Sequence, residues 1–373
     1  MKIIMAEKSD IYHDSRVLKE ARSLANAGYD VSVYGFREKW KAGEPKKYNF
    51  NITTFPVVSR KYRALRNISI FINIFIIHII IILTKAQYYH AHNTMFLLGM
   101  YVSSRIHSGK FIYDSHEVQW ERIKIHHILE KLFVHKAHRI ISVSEGIAGE
   151  IRKRYSIPEE SIIFLSNYPY LPNSKIDLTK KINPQNIRLI YSGGFDLLSN
   201  RLDNLLHALA DLKQFSLYLL SYGYGDSLHN FNELIHQLGL VDRVHFLPLV
   251  SPDEIHDVVK DYDIAVSLTN YQGNATYQRY ASPNKMYDYL AAGLPILCSN
   301  MEVHETCFVA KGVAISVDPN DVKSIVSGLK RISDNPEKII KMRETAVALS
   351  SNVCHWGTQE IKLINMYKRM GTV

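Results

Sequence analysis

Short β-branched runs alternate with amphipathic helical stretches along most of this chain, and that rhythm restricts it to parallel α/β construction. Residues 2–7 read as a strand. Residues 16–27 follow as a helix with Val17, Leu18, Ala21, Leu24 and Ala25 on one face, and Gly28 ends it before a strand at 30–34. The pattern repeats through AQYYHAH, a helix over 94–107, KFIYDSH, a long helix, RIISVS, another helix and SIIFLSN. It lapses over 168–186, where Pro169, Pro172 and Pro184 fall in a polar stretch, which marks a domain boundary. It restarts at IRLIYSGG and runs through FSLYLLSYG, VHFLPLV, DIAVSL, PILCSN and VAISVD to terminal helices over 337–350 and 358–370. Two such halves place a ligand cleft at the carboxyl ends of their strands.

The 373 residues, 46% hydrophobic and 22% charged, suit a globular chain of two domains. Cys298, Cys307 and Cys354 form no Cys-x-x-Cys pair, and Cys298 lies in the apolar run PILC, so a reducing, cytoplasmic protein without disulfides is expected. Met1 leads straight into KIIMAE, with no cleavable signal pattern. The net charge of +9 points to anionic partners, chiefly nucleotide phosphates or phospholipid surfaces, or to no more than a surplus of solubilising lysines. Scattered basic residues and the lack of a recognisable module argue against nucleic acid.

Residues 68–83 (ISIFINIFIIHIIIIL) form a 16-residue apolar run containing Asn73 and His78, preceded by Arg60, Lys61, Arg63 and Arg66. Two readings fit. The run is either a helix lying in the headgroup layer, held by its basic flank, or a helix packed inside the first domain. Packing inside is the expectation for the apolar body, while attachment of the wider patch to an anionic membrane surface stays open.

The stretch SPNKMYDYLAAGLP carries the chemistry. Ser282 suits an N-cap, Pro283 the first helical position, and Gly293 a left-handed C-terminal cap with Pro295 beyond it. The free N–H groups at the start of such a helix make an anion seat. Asn284 and Asp288 are four apart and Lys285 and Asp288 three apart, so they share a face. A phosphate at the tip and a ribose hydroxyl on the carboxylate one turn deeper are the expected ligands.

Together with YSGGF, DRVHFLPLVSPDEI and DSRVLKEARSLANAGYDVSVY, this stretch resembles the family-4 retaining glycosyltransferases of the GT-B fold, over nearly the whole chain. The resemblance implies two Rossmann-like parallel-sheet domains facing each other across a cleft. They would span 1–170 on the acceptor side and 187–352 on the nucleotide-sugar side, with a linker at 171–186 and a C-terminal helix at 353–373. A nucleotide-diphosphate sugar would be held mainly by the second domain. In the family two glutamates bracket the donor loop. The second falls on Asp288, for the ribose, and the first on Tyr280, which is not an acid. Gly193 and Gly194 would let the backbone approach the donor. Phe195 stands where the family often has a basic residue, and Arg201 is the nearest replacement for gripping the diphosphate. Asn284 and Lys285 would reach the β-phosphate, Tyr222 and Gly223 would line the cleft, and Leu249 and Val250 would cradle the base.

In the first domain His116 matches the histidine facing the donor sugar, as a hydrogen-bonding group rather than a base. Asp14 and Arg16 would touch the acceptor, although Asp14 equally suits an N-cap. Each assignment has a plainer counterpart: Arg201 as a solvated arginine, His116 as a satisfied core histidine, Asp288 as a helix-surface partner of Asn284. His90 and His92 share a strand face but fall short of a metal set, and Asp261-x-Asp263 reads as boundary chemistry, so no essential metal or cofactor is expected. The implied activity is retaining transfer of a sugar to a hydroxyl of a glycan, lipid-linked and destined for cell-surface polysaccharide. Its site would be the cytoplasm, with the inner membrane face open. The alternatives are a nucleotide-sugar epimerase of the same fold and a non-catalytic partner subunit.

Overall fold

The computed structural model describes residues 1–38, 47–59, 61–118, 120–121, 123–172, 175–180, 182–194, 196–221, 225–250, 254–270, 280 and 284–371. The chain forms two compact units. Unit 1 comprises Met1–Asn167 with Ala275–Ser282 and Gly357–Val373, and unit 2 comprises Tyr168–Asn274 with Pro283–Trp356.

Unit 1 is built on seven strands: β1 (Lys2–Asp10), β2 (Asp30–Glu38), β3 (Asn51–Val57), β4 (Tyr88–Ala91), β5 (Lys110–Ser115), β6 (Arg139–Ser142) and β7 (Ile162–Phe164). They pair in parallel in the order β3-β2-β1-β4-β5-β6-β7. The connecting helices are α1 (Ser15–Asn26), α2 (Arg63–Leu83), α3 (Leu97–Ile106), α4 (Lys124–Phe133) and α5 (Glu145–Tyr155). The sequence order reverses between β1 and β4, which makes that gap the switch point where open parallel sheets bind ligands. Strand β3 escaped the sequence reading because it lies at the sheet edge, half exposed, with Pro56 in it.

Unit 2 has six parallel strands: β8 (Ile187–Ser192), β9 (Phe215–Leu220), β10 (Val244–Phe246), β11 (Ile264–Ser267), β12 (Ile296–Ser299) and β13 (Ala314–Val317). Their order is β10-β9-β8-β11-β12-β13, with the switch point between β8 and β11. Helices α6 (Leu202–Asp211), α7 (Gly225–Gln237) and α8 (Ile255–Val259) are followed by helices at Asn284–Ala291, Val322–Ser333 and Pro336–Asn352. One apolar cluster joins α6 and the Val322–Ser333 helix to one sheet face, and another joins the Asn284–Ala291 helix to the opposite face. Cys298 is fully buried in the second, as its apolar run requires.

Gly293 closes the Asn284–Ala291 helix at φ +68, in the left-handed region. Its N–H donates to the Leu290 carbonyl at 3.0 Å and the Leu294 N–H to the Tyr289 carbonyl at 3.0 Å, the paired bonds of a Schellman cap. A Cβ there would also lie 2.9 Å from methyl groups of Ile176 and Val347, so glycine is required twice over.

Helix α2 corrects the sequence reading. It runs 21 residues, long and apolar enough to cross a membrane by length and composition, with mean hydropathy 2.2 in its most apolar window. It is not packed inside the domain. Asn73, Ile74, Ile77 and Ile81 face the sheet, whereas Leu65, Ile68, Ile72, Phe75, Ile79 and Leu83 form an exposed stripe. A helix with apolar residues on every side packs only the face it turns to the sheet; the other keeps its apolar side chains outside. Of the basic flank, Arg66 is already paired with Glu38 at 2.5 Å.

Candidate active site

In unit 2 the loop after β8 and the Asn284–Ala291 helix meet at Gly193 and Lys285. Gly193 follows the strand at φ +124, and a Cβ on it would lie 3.1 Å from both Cε and Nζ of Lys285. Loop and lysine pack closely, and the φ of +124 favours glycine there. The Lys285 ammonium lies 4.0 Å from the centre of the Tyr191 ring, within cation–π range. Burial pulls its pKa down to about 7. The Tyr191 hydroxyl donates to the Gly194 carbonyl at 2.7 Å, and Ser221 Oγ donates to the Gly193 carbonyl at 2.5 Å, so the loop is held from both sides. The Tyr289 hydroxyl, one turn beyond Lys285, accepts the Ser192 N–H at 2.7 Å and ties the helix to the end of β8.

Arg201 precedes α6 as its N-cap residue, at φ 44 and ψ 36. A left-handed non-glycine residue costs on the order of 1–2 kcal/mol, and such strain tends to persist where function needs the side chain aimed. Its guanidinium lies 3.3 Å from Asp203, and its buried Nε has no hydrogen-bond partner among the described residues. Asn200 Nδ2 donates to the Gly194 carbonyl at 3.2 Å, and the Asn270 N–H to the Ser199 carbonyl at 2.7 Å. The loops after β8 and β11 thus meet across the switch point. His304, just beyond β12, is held below its ordinary pKa by burial and, less strongly, by the Lys285 charge. Nothing in its local sequence distinguished it from an ordinary core histidine.

Asn284 is exposed, and Lys285 and Asp288 are half-buried on the same helix. Leu249 is exposed, and Val250 packs against the cluster containing Met286 and Leu290. Tyr222, Gly223, Phe195, Ser282 and Pro283 lie outside the described residues. Tyr280, the departure from the family acid, belongs to unit 1. Its ring fills the space where a Cβ on Gly146 would come within 2.2 Å, and its carbonyl accepts from Ser144 Oγ at 3.2 Å. Asp263 is buried and accepts the Arg188 N–H at 2.8 Å, so the Asp-x-Asp spacing serves the β8–β11 boundary.

Unit 1 contains a buried charged network on the sheet face covered by α1. Alternation turns Glu7 of β1, His90 and His92 at β4, and Asp114 and His116 at β5 to one side. Arg16 corrects its acceptor-side assignment: it is only 3% exposed and grips both Asp114 oxygens at 2.9 Å. It also lies 3.1 Å from Glu20 and donates to the Leu165 carbonyl at 2.7 Å. Asp14 caps α1, accepting the Val17 N–H at 3.2 Å and the Ser9 hydroxyl at 2.7 Å. Glu20, His90, His92 and Asp114 place ligand atoms within 4.8 Å of one another, as a metal would need, but the guanidinium of Arg16 already stands between the two carboxylates.

His116 Nε2 lies 3.2 Å from Asp114 and 3.0 Å from His92 Nδ1, while Nδ1 is 3.9 Å from Glu7. Burial opposes charge on this ring, but the carboxylates of Asp114 and Glu7 outweigh it and lift the pKa to about 9. At neutral pH His116 is an imidazolium, a hydrogen-bond donor and not a base. Glu7 was missed from the sequence, where it looked like one polar residue ending an apolar strand. Burial raises its pKa to about 8 against the opposing charge of His116. A raised carboxyl pKa favours the folded state fully below the unfolded value near 4.5, and that stabilisation is lost as pH rises through 8. Glu7→Gln should therefore flatten the stability profile between these limits and exceed the parent in stability above pH 8.5 or so, by roughly a few kcal/mol. Urea melts across that range would check it, and parallel profiles would reject the assignment.

Parallel sheets with switch-point loops in both units define a two-unit, Rossmann-like α/β architecture. The family model "Glycosyltransferase Family 4" matches residues 15–167 and "Glycosyl transferases group 1" matches residues 175–348. The chain belongs to the family-4 glycosyltransferases of the GT-B fold. It is 23% identical over 222 residues to the uncharacterized glycosyltransferase MJ1607 of Methanocaldococcus jannaschii, covering 55% of this chain and 53% of that one. It is 22% identical over 228 residues to the putative colanic acid biosynthesis glycosyl transferase WcaI of Escherichia coli, covering 58% and 54%. The chain thus spans about half the length of the curated relatives it matches. Among solved structures, a sucrose-phosphate synthase from Thermosynechococcus elongatus superposes with a TM-score of 0.76 at 13% identity, over 100% of this chain and 99% of that one. HepE of Anabaena in complex with UDP-glucose gives 0.73 at 13%, over 99% and 100%. WaaG, a glycosyltransferase involved in lipopolysaccharide biosynthesis, gives 0.66 at 14%, over 97% and 98%. At these identities the likeness is one of fold.

Proposed function

We propose that this protein transfers a sugar, with retention of configuration, from a nucleotide-diphosphate sugar to a hydroxyl of a lipid-linked glycan used for cell-surface polysaccharide. The observation that carries the reading is the close approach of Gly193 to Lys285 at the unit 2 switch point, with Arg201 in a strained conformation on the adjoining loop. Lys285 and Arg201 offset the charge of the departing diphosphate, and Asp288 takes the ribose. The acceptor oxygen bonds to the anomeric carbon on the face from which the phosphate leaves, and its proton passes to the departing phosphate oxygen. His116 donates to a substrate hydroxyl. No metal is required for this step. The exposed apolar stripe of α2 supports work at the inner face of a membrane, where a lipid-linked acceptor resides.

A thermal-shift panel of UDP, GDP, ADP and CDP tests the donor site. One nucleotide should stabilise the protein, by about 2.7 kcal/mol at a hundred times its Kd, and Asp288→Ala should abolish the shift. UDP is the first choice because the similarly folded HepE is solved with it. Labelled donor should then move to a lipid-linked acceptor at a rate that EDTA leaves unchanged. Failure of every nucleotide to shift the melt would end this reading, and conversion of donor without acceptor would make the protein an epimerase.

A further inference from the structure

Helices α2, α3 and α4 lie side by side on the sheet face opposite the charged network, and α4 is built inside out. Its buried positions are polar: His126 bonds to Thr94 Oγ1, and Glu130 accepts from the Tyr113 hydroxyl at 2.6 Å and the Tyr155 hydroxyl at 2.9 Å. Its apolar Ile125, Ile128 and Leu132 are 46%, 41% and 57% exposed, among the exposed Lys124, Lys131 and Lys136. Leu98 and Ile106 of α3 continue the exposed apolar surface between α4 and the stripe of α2. No aspartate or glutamate occurs from Asn51 to Tyr113, and the sole carboxylate of α4, Glu130, is fully buried. Apolar side chains set among cations, with no exposed anion on these helices, complement an anionic bilayer interface.

We propose that α4 is a second membrane anchor, which with α2 sets unit 1 flat against an anionic bilayer and so fixes its orientation. This rests on the membrane-surface reading above and adds a named contact to it. The apolar residues of α4 enter the headgroup–acyl boundary, and its lysines meet lipid phosphates. A depression of about 650 Å³ lined by His127, Ile128, Lys131, Leu132, His135 and Lys136 supplies a headgroup seat. A single apolar stripe leaves the protein free to roll about that helix, whereas two helices on either side of α3 do not.

Flotation of the full chain with phosphatidylcholine vesicles, with and without phosphatidylglycerol, tests this. The parent should bind the anionic vesicles preferentially. Lys124→Gln/Lys131→Gln/Lys136→Gln should weaken that binding by roughly fivefold per lysine. Ile128→Glu/Leu132→Glu should weaken it at least as much, with the nucleotide-induced thermal shift retained as proof of folding. Phe75→Glu/Ile79→Glu, in the α2 stripe, reports on α2 independently. Should the α4 variants bind like the parent while the α2 variant does not, α4 is no anchor and the membrane reading survives. Absence of parent binding to any vesicle overturns both. Light scattering in that case decides whether the face joins two copies of the chain, a result equally fatal to the lipid assignment.

Discussion

Replacing Lys285 with methionine should slow sugar transfer about 10²–10³-fold, the usual loss when one group stabilising developing anionic charge is removed. The larger consequence concerns pH. Burial against Tyr191 and the Gly193 backbone lowers the lysine pKa to about 7, so the free protein is largely uncharged there above neutrality. A diphosphate bound beside Lys285 would restore the charge and draw a proton in with it. Donor affinity should therefore be highest below pH 7 and weaken by up to about tenfold per pH unit above it, until the pKa of the complex is passed. Calorimetry at pH 8 in buffers of different ionisation heat should show close to one proton taken up by the parent and none by Lys285→Met. Equal proton uptake in both would remove Lys285 from the phosphate site.

Arg16→Met should cost the first unit about 3–5 kcal/mol, the penalty for stripping one partner from a buried ion pair. The loss falls on Asp114 and Glu20, both fully buried: Asp114 keeps only His116 as a cation, and Glu20 loses the guanidinium 3.1 Å away. For a unit of this size the melting temperature should drop by roughly 6–20 °C. Combining it with Asp114→Leu and Glu20→Leu should recover part of the loss, because neither leucine needs a counter-charge, while His116 loses its partner at 3.2 Å. Denaturant melts of the single and triple variants decide this. Additive losses would mean that the three residues do not act as one unit.

Much of this architecture was legible before any coordinates. Parallel strands and the glycine cap at Gly293 follow from local rules, which need only neighbouring residues. The pairing of Gly193 with Lys285 was legible only as two separate suspicions. Nothing local states that residues 92 positions apart come within contact distance. Arg16 looked like a substrate contact because it opens a helix after a strand end. Only the fold reveals that Asp114, on β5, reaches it first.

By itself the sequence determined the strand and helix periods, the division into two parallel α/β halves and the glycines that backbone conformation demands. Those depend on steric preferences within a few residues. The tertiary structure alone decided which side of each apolar helix is covered. The sheet face of unit 1 takes four residues of α2 and leaves its outer stripe in solvent, and it takes the polar side of α4 because two tyrosines satisfy Glu130 there. A periodic pattern specifies a face, but burial depends on what the rest of the chain brings to meet it.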